Sequence, residues 1–309
     1  MQKRPFGSTG LSVTPLGFGA APIGLLQTER EAAGKLLNVL LDEGVNLIDT
    51  AAGYKGSEEI IGESISHRRD QFVLVSKCGR SVPHVDATVD WSAEMITKTV
   101  DAALKRLRTD RLDVMLLHSC EKEILDRGEA VGALAAARDA GKIRFAGYSG
   151  DNDAAAYAAT LPDIALIETS VSIADQHNID AVLPGCRKRN LAVLAKRPIA
   201  NAAWKPRDAQ PGMYKDYAST YTDRLAKMDL NPADLGFPAA PEQAWPELAL
   251  RFTLSIPGVH CAIIGTTRPE NARANIAIAE KWPLPPAIVD HIRAAFRAAD
   301  PSGEWLGQT

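Results

Sequence analysis

Eight short apolar segments constrain the fold of this 309-residue chain more than any other feature. They are nearly continuous in apolar residues, as parallel strands covered on both faces should be. Seven of them are VNLID (45–49), QFVLVSK (71–77), LDVMLLH (112–118), KIRFAGYS (142–149), DIALIE (163–168), LAVLAK (191–196) and HCAIIGT (260–266). LGFG (16–19) supplies the eighth.

The stretches between these segments have the spacing of amphipathic helices. Clear examples are EREAAGKLLNVLLDEG (29–44) and SAEMITKTVDAALKRLRTD (92–110). Eight βα units in about 300 residues, with no linker between them, favour an α/β fold of the (β/α)8 or TIM-barrel type over a doubly wound sheet. We therefore expect residues 1–309 to form a single barrel domain.

Two segments fall outside the repeat. KRPFGSTGLSV (3–13) is typical of a β-hairpin with a Gly-rich turn, which could plug the bottom of the barrel. Residues 200–241, after the seventh barrel strand, are too long and too rich in proline and aromatic residues for a plain connection. Long loops in compact domains are usually functional or disordered, and the aromatic residues favour a functional insert.

Charge and composition exclude several classes of protein. A net charge of −3 gives no general attraction to nucleic acid or to anionic membranes. No apolar run has the length of a signal peptide or of a membrane span. The four cysteines are scattered without the spacing of a zinc site, so no metal is expected. These features predict a cytoplasmic protein without disulfides, with a monomer as the default.

Polar residues end three separate apolar runs. Asp49, Lys77 and His118 occupy these ends, and Tyr54 follows shortly after Asp49. In a (β/α)8 barrel the carboxyl ends of the strands converge on one mouth, where active sites are built. One such residue is unremarkable, but four together predict a site.

The four residue types fit one chemical task. A tyrosine has an ordinary pKa near 10, too high for ready proton donation at neutral pH. A lysine ammonium beside the phenol lowers that pKa, and Asp49 would keep Lys77 charged and in place. His118 can hydrogen-bond a carbonyl oxygen and orient it. The set therefore predicts a proton donor directed at a carbonyl oxygen.

With these motifs the chain resembles the aldo-keto reductase superfamily over essentially its whole length. GVNLIDTAAGYKGSEEIIG (44–62) and DRLDVMLLH (110–118) are similar to its two signatures, and AIIGTTRPENARAN (262–275) resembles its strand-8 cofactor motif. The resemblance implies NAD(P)H-dependent reduction of an aldehyde or ketone, or the reverse alcohol oxidation, with hydride passing from nicotinamide C4. It carries the catalytic roles onto Asp49, Tyr54, Lys77 and His118.

The same resemblance implies where the nicotinamide end of the cofactor would bind. It carries this role onto Ser149, Glu168, Lys196 and Arg197, and cofactor binding in general onto Gly19, Asp49 and Pro198. Glu168 stands where the family commonly has glutamine, and a carboxylate cannot donate a hydrogen bond to the carboxamide unless it is protonated. Lys196 and Arg197 stand where an aromatic residue often stacks on the ring. The Arg197 plane could stack there or reach the pyrophosphate.

At the adenosine end, the resemblance points to the eighth strand and the helix that begins near Pro269. It carries this role onto Gly265, Thr266, Thr267, Arg268, Asn271 and Asn275, although Gly265 and Asn271 stand where the family's phosphate pocket commonly has a lysine and a second arginine. Helix N-termini bind phosphates, and a guanidinium matches phosphate oxygens, so Arg268 is the expected partner of a 2′-phosphate. We therefore predict NADPH/NADP, with NADH possible. The alternative is that Arg268 forms only surface contacts.

The substrate is expected to be a small carbonyl compound of open identity. Trp204 and the C-terminal Trp305 are candidates for lining its pocket, although the aromatic residues of 200–241 could equally hold the insert on the barrel rim. A Schiff-base aldolase is a second hypothesis, because barrel lysines also form imines. A slow nucleotide-sensing protein that keeps the barrel is a third.

Overall fold

A computed structural model describes residues 1–26, 28–210, 212 and 214–308, with the backbone alone described for residues 207 and 214. The described residues form ten strands: β1 (Arg4–Pro5), β2 (Ser12–Val13), β3 (Leu16–Gly19), β4 (Leu47–Asp49), β5 (Val73–Cys78), β6 (Leu112–His118), β7 (Ile143–Ser149), β8 (Ile164–Ser170), β9 (Ala192–Lys196) and β10 (Cys261–Ile264). Strands β3 to β10 pair in parallel and close into a barrel, β10-β3-β4-β5-β6-β7-β8-β9. The predicted (β/α)8 barrel is confirmed.

Helices connect these strands on the outside of the barrel. In chain order they are α1 (Ala21–Leu25), α2 (Arg30–Asp42), α3 (Ser57–Ile65), α4 (Ala93–Leu107), α5 (Lys122–Asp126), α6 (Glu129–Asp139), α7 (Asn152–Ala158), α8 (His177–Ala181), α9 (Leu183–Arg189), α10 (Tyr214–Tyr217), α11 (Ser219–Met228), α12 (Pro241–Ser255), α13 (Pro269–Glu280) and α14 (Pro286–Ala299). Short 3-10 turns occupy Ser66–Gln71, Ala200–Ala202, Arg207–Ala209 and Pro232–Leu235. Among the described residues, no helix is long and apolar enough to cross a membrane.

Helix α4 illustrates how local sequence defines these elements. Ser92 precedes the helix in an extended conformation, and its hydroxyl accepts a hydrogen bond from the Met95 N–H. Such a cap satisfies one of the first-turn amides that lack a helical partner. The helix ends where Arg108 adopts a left-handed conformation, with φ of 52°. Its buried face is Met95, Ile96, Thr99, Val100, Ala103 and Leu107.

Strand β6 shows why the barrel strands are apolar on both faces. Val114 and Leu116 point into the barrel, where they join the inner core with Phe6 and Val13 of the N-terminal hairpin. Met115 instead packs outward against the helical layer. Because both faces are buried, the strand is nearly continuous in apolar residues, apart from Asp113 and His118, rather than alternating.

The N-terminal hairpin packs against the barrel as the sequence predicts. Strands β1 and β2 pair in an antiparallel register, Arg4 with Val13. Gly7, in the turn between them, has φ of +56°, and a Cβ there would lie 2.4 Å from the Ala192 backbone nitrogen. Only glycine allows both this conformation and this approach. The hairpin thereby brings Phe6 and Val13 into the inner core.

Residues 200–241 follow β9 and contain three of the 3-10 turns together with helices α10 and α11. Helix α11 buries Tyr221, Leu225 and Met228. Helix α11 therefore packs its part of the insert against the rest of the protein. That residues 1–309 form a single domain stays a prediction.

Candidate active site

Strand pairing brings the predicted catalytic positions to one end of the barrel. Asp49, the last residue of β4, is in register with Gly19 of β3 and with Val75 of β5. His118, the last residue of β6, is in register with Ser149, which ends β7. Because the strands are parallel, these residues all lie at the carboxyl end of the barrel.

Asp49 and Lys77 form a buried ion pair at this mouth. Lys77 Nζ lies 2.5 Å from Asp49 Oδ1 and donates a second hydrogen bond to the Thr50 carbonyl at 3.1 Å. The Lys77 and Asp49 side chains are only 1% and 3% exposed. Removing such charges from water is costly, so the pair depends on its mutual attraction and on these hydrogen bonds. The interaction predicted from the sequence is present.

Tyr54 lies in the tight turn that follows β4. Its N–H donates to the Ala51 carbonyl, and its own carbonyl accepts from Ser57, the first residue of α3. The turn packs against α1, where a Cβ on Gly24 would lie 3.1 Å from the Tyr54 backbone. Lys77 Nζ lies 5.4 Å from the centre of the Tyr54 ring. The phenol and the ammonium are therefore neighbours.

His118 completes the group from the third strand end. Its ring meets that of Tyr54 edge to face, with centres 6.0 Å apart and planes at 85°. Burial lowers the pKa of His118 well below its ordinary value, and the nearby cations Lys77, Lys196 and Arg80 lower it further. The imidazole is therefore neutral at physiological pH and can donate one hydrogen bond.

The charge on Lys77 is stabilised by two carboxyl groups. Burial alone would lower the pKa of Lys77, but Asp49 and Glu168 outweigh burial and raise it above its ordinary value. Burial and the neighbouring Glu168 raise the pKa of Asp49 well above the ordinary value, against the opposing effect of Lys77. Lys77 is therefore an ammonium throughout the working pH range.

Glu168 and Ser149 lie side by side on β8 and β7. The Ser149 hydroxyl donates to Glu168 Oε1 at 3.1 Å, and both side chains are buried. Glu168 Oε2 lies 3.4 Å from Lys77 Nζ. The sequence singled out both residues for cofactor binding but gave no sign that Glu168 also faces Lys77.

Lys196, at the end of β9, forms an ion pair that sequence reasoning missed. Its Nζ lies 2.9 Å from Asp151 Oδ2, and the Asp151 side chain is fully buried. Burial would raise the pKa of Asp151, but Lys196 and hydrogen bonds from Thr169 and Ser170 hold it below the ordinary value. The sequence signal that could have predicted this pair is Asp151 itself, an aspartate two residues beyond the end of β7.

Arg197 follows with a left-handed backbone, φ of 55°. Its guanidinium donates to the Ser170 hydroxyl at 3.1 Å and lies 5.6 Å from the centre of the Tyr217 ring. Pro198 is buried, and its carbonyl accepts a hydrogen bond from the Thr253 hydroxyl. Arg197 therefore contacts the insert and β8 rather than projecting freely into the mouth.

The β10–α13 connection has the features of an anion site. Arg268 is the residue before α13, no side chain caps the helix, and Pro269 is its first residue. The Arg268 N–H donates to Thr266 Oγ1, while its exposed guanidinium has no partner among the described residues. Thr267 is half-buried beside them.

Gly265, Asn271 and Asn275 are the other residues predicted to bind the cofactor near the β10–α13 connection. A Cβ on Gly265 would lie 2.5 Å from Pro22 Cγ and 2.7 Å from the Gly19 carbonyl oxygen. A longer side chain at this position would therefore clash with α1. Asn271 is exposed and Asn275 half-buried, and their spacing along α13 puts them on one face.

The two tryptophans predicted to line a substrate pocket both make packing contacts. Trp204 stacks on Trp245 of α12, with ring centres 5.9 Å apart and an interplanar angle of 8°. Trp305 meets Phe296 edge to face at 5.2 Å. These contacts favour the alternative that such residues hold peripheral segments on the barrel. Their role toward substrate stays a prediction.

The tyrosines of the insert differ in environment. Tyr221 is fully buried, and its hydroxyl donates to Asp175 Oδ2 at 2.7 Å. Tyr217 is 48% exposed beside Arg197. The side chain of Tyr214 lies outside the described residues. Tyr221 therefore anchors α11 to the barrel.

Comparisons with known proteins agree with this geometry. A sequence model described as the aldo/keto reductase family matches residues 15–297. The NADH-specific methylglyoxal reductase of Escherichia coli strain K12 is 27% identical over 311 residues, which cover 90% of this chain and 93% of that protein.

Solved structures give the same result. Aldo-keto reductase AKR11C1 from Bacillus halodurans, in its holo form, is 25% identical with a TM-score of 0.80, and the match covers 96% of each chain. An aldo/keto reductase from Klebsiella pneumoniae in complex with NADP and acetate is 25% identical with a TM-score of 0.71, also over 96% of each chain. The chain therefore belongs to the aldo/keto reductase family and is an oxidoreductase.

Proposed function

We propose that the protein is an NAD(P)H-dependent carbonyl reductase in which Tyr54 is the general acid. A bound nicotinamide cofactor would supply the hydride for the carbonyl carbon. Tyr54 would donate its proton to the carbonyl oxygen, and the neutral His118 would hydrogen-bond the same oxygen and orient it. In alcohol oxidation the Tyr54 phenolate would accept the proton.

The buried ammonium of Lys77 is the observation that supports this role most directly. It lies 5.4 Å from the Tyr54 ring centre, and Asp49 at 2.5 Å keeps it in place and charged. A fixed positive charge next to a phenol stabilises the phenolate, which lowers the pKa of the phenol and makes it a better proton donor. Asp49 and Lys77 thus act together on Tyr54.

The same observation disfavours a Schiff-base aldolase. Imine formation requires a neutral amine, because an ammonium has no lone pair to attack a carbonyl. Asp49 and Glu168 both raise the pKa of Lys77, which opposes its deprotonation. Borohydride treatment with a carbonyl compound should therefore leave Lys77 unmodified.

The start of α13 fits the phosphate end of a dinucleotide. Its first-turn amides have no side-chain cap, and the residue immediately before it is Arg268, whose exposed guanidinium has no partner among the described residues. Amides at a helix N-terminus attract anions, and a guanidinium matches a 2′-phosphate. The NADP bound in the Klebsiella relative supports NADPH, while the NADH-specific Escherichia coli relative keeps NADH open.

The residues expected to bind the nicotinamide fit a cofactor less simply, because two of them already have partners. Ser149 and Glu168 are buried at the mouth, and Glu168 Oε2 accepts no hydrogen bond from the described residues, although the Lys77 ammonium lies 3.4 Å from it. A polar ligand group arriving there would satisfy that oxygen. Lys196 and Arg197 are already held by Asp151 and Ser170, so we propose that they shape this end through those contacts.

Direct hydride transfer tests the proposal. Purified protein, NADPH or NADH deuterated at C4, and a panel that includes methylglyoxal and 4-nitrobenzaldehyde should give an alcohol with deuterium on its carbinol carbon. The label shows that the hydrogen on the carbinol carbon comes from the nicotinamide and not from solvent, and Tyr54→Phe protein purified in the same way controls for a contaminating reductase. Absence of label across both cofactors and the whole panel would overturn the proposed reaction.

A further inference from the structure

Arg80 is a cation at the barrel mouth that has no acidic partner among the described residues. It lies two residues beyond the end of β5, on the connection to α4, and its side chain is exposed. Its Nε donates to the His118 carbonyl at 3.3 Å, and its Nη2 donates to the Ser119 carbonyl at 3.1 Å. These neutral carbonyl groups hold the guanidinium in place but do not cancel its charge.

Arg80 adds an uncompensated positive charge to the mouth. The other charged groups found there balance as three cations and three carboxylates: Lys77, Lys196, Arg197, Asp49, Glu168 and Asp151. The two connections that meet at Arg80 also contain acidic residues, but none of them forms an ion pair with it: Asp86, Asp90 and Glu121. Asp90 instead accepts a hydrogen bond from the Ser81 N–H at 2.6 Å. The mouth is therefore suited to an anionic ligand group beside Arg80.

An aromatic ring also holds the Arg80 guanidinium. Its Cζ lies over the Trp91 ring, 5.7 Å from the ring centre, within the range of a cation–π contact. Trp91 has a left-handed backbone with φ of 67°, which is unfavourable for a bulky residue. Its N–H donates to the Gly79 carbonyl at 2.7 Å, and its ring leaves no room for a Cβ on Gly79. Backbone strain of this kind concentrates at functional sites.

One edge of the Arg80 guanidinium is available to a ligand. A guanidinium has five N–H donors in a planar fork. The edge formed by Nε and Nη2 is occupied by the His118 and Ser119 carbonyl groups, whereas Nη1 makes no hydrogen bond with the described residues. The edge formed by Nη1 and Nη2 therefore keeps two parallel N–H groups, which match the two oxygens of a carboxylate.

We propose that Arg80 determines specificity by binding a carboxylate of the substrate, so that the preferred substrates are aldehydes or ketones that carry a carboxylate. The assignment rests on the proposed function, in which the His118 ring binds the reacting carbonyl oxygen. Arg80 is hydrogen-bonded to the backbone of the same residue. A substrate with its carbonyl group at His118 and its carboxylate on Arg80 is held at both ends, which orients the carbonyl group toward Tyr54.

Matched pairs of substrates test this assignment. 4-Carboxybenzaldehyde and 4-formylbenzamide have nearly the same shape and differ in charge, and succinic semialdehyde and its methyl ester form a shorter pair. With NADPH, Arg80→Gln should lower kcat/KM at least about tenfold more for the acid than for its neutral partner, mainly through KM. Comparing the acid-to-neutral ratio of the variant with that of the wild type cancels the intrinsic reactivity of each aldehyde.

Two further variants separate recognition from a structural role. Because Arg80 also holds two backbone carbonyl groups, a purely structural role would lower kcat/KM equally for the acid and the neutral partner. Arg80→Lys keeps the charge but loses the planar fork, so its ratio should lie between those of the wild type and Arg80→Gln. Arg297→Gln removes an exposed arginine of α14 and should leave the ratio unchanged. A ratio that Arg80→Gln leaves unchanged in both pairs would overturn the assignment.

A binding measurement tests Arg80 without turnover. In isothermal titration calorimetry with and without NADP⁺, the dissociation constant of 4-carboxybenzaldehyde should rise about tenfold or more in Arg80→Gln, provided that the circular dichroism of the variant matches the wild type. The dissociation constant of 4-formylbenzamide should rise less. If no carbonyl compound is reduced, the proposed function fails while this titration still decides the role of Arg80. The same affinity of both proteins for the acid, or no detectable binding to either, would refute carboxylate binding.

Discussion

The Lys77 ammonium lies 2.5 Å from the Asp49 carboxylate with almost no solvent contact, and this pair links the stability of the barrel to its chemistry. Removing one partner of a buried ion pair costs about 3–5 kcal/mol. Because Glu168 Oε2 lies 3.4 Å from the same nitrogen, it can replace part of the lost charge. We expect Asp49→Asn to lower the free energy of unfolding by about 2 kcal/mol, measured by urea denaturation.

An exposed ion pair provides the comparison. Glu31 and Lys35 lie one helical turn apart on α2, at 2.6 Å, with both side chains mostly in solvent. Exposed pairs contribute little to stability. Glu31→Gln should leave the unfolding midpoint unchanged. An equally small effect of Asp49→Asn would show that the buried pair contributes no net stability.

Tyr54→Phe should remove the proton donor while keeping the ring. Loss of a general acid reduces kcat by about 100-fold or more. Cofactor affinity, measured by quenching of protein fluorescence, should be preserved, because the Tyr54 hydroxyl is not among the groups proposed to bind the cofactor. Tyr217→Phe removes a phenol that is 48% exposed in the insert and should leave kcat unchanged. A Tyr54→Phe variant with normal kcat would exclude Tyr54 as the donor.

Lys77→Met should move the pH dependence as well as reduce the rate. Without the ammonium, the phenolate of Tyr54 loses its stabilising charge, so the pKa of the phenol returns toward its ordinary value near 10 or higher. The alkaline limb of the reduction profile should shift upward. Lys98→Met, on the surface of α4, should not shift it. An unmoved limb in Lys77→Met would contradict activation of the phenol by lysine.

The barrel was predictable because its signals are local. Strands β3 and β6 have the predicted bounds, 16–19 and 112–118, and α13 begins at Pro269 as expected. The approach of Asp49 to Lys77 followed from one rule, that parallel strand ends meet at the mouth. Hydrophobic periodicity and the chemistry of the strand ends are therefore sufficient to predict the fold and the central ion pair.

Contacts that depend on three-dimensional geometry were not predictable. Glu168 reaches Lys77 from β8, on another side of the barrel, and no sequence spacing encodes that distance. Lys196 is paired with Asp151 because the ends of β7 and β9 bring them within 2.9 Å. The left-handed backbone of Arg197 directs its side chain to Ser170 and Tyr217, a conformation that an arginine seldom adopts and that the sequence does not signal.

The neutral His118 predicts a specific pH dependence of stability. Its pKa is lowered in the folded protein, whereas in the unfolded chain it returns to about 6.5. Between these values the unfolded chain binds a proton that the folded protein does not, so stability is lost as pH falls below about 6.5. His118→Gln should lose less stability than wild type between neutral pH and about pH 5. His291→Gln, an exposed control, should behave like wild type.

Arg268 provides the test of cofactor preference. Its guanidinium is exposed and has no partner among the described residues, so replacing it breaks no ion pair or side-chain hydrogen bond among them. A charge-assisted hydrogen bond contributes about 1.5–3 kcal/mol, so Arg268→Ala should weaken NADPH binding about 10- to 100-fold and NADH binding far less. Arg273→Ala removes an exposed arginine within α13, one paired with Glu43, and should leave the ratio of the two dissociation constants unchanged. Equal losses for NADPH and NADH in Arg268→Ala would show that this arginine does not distinguish the 2′-phosphate.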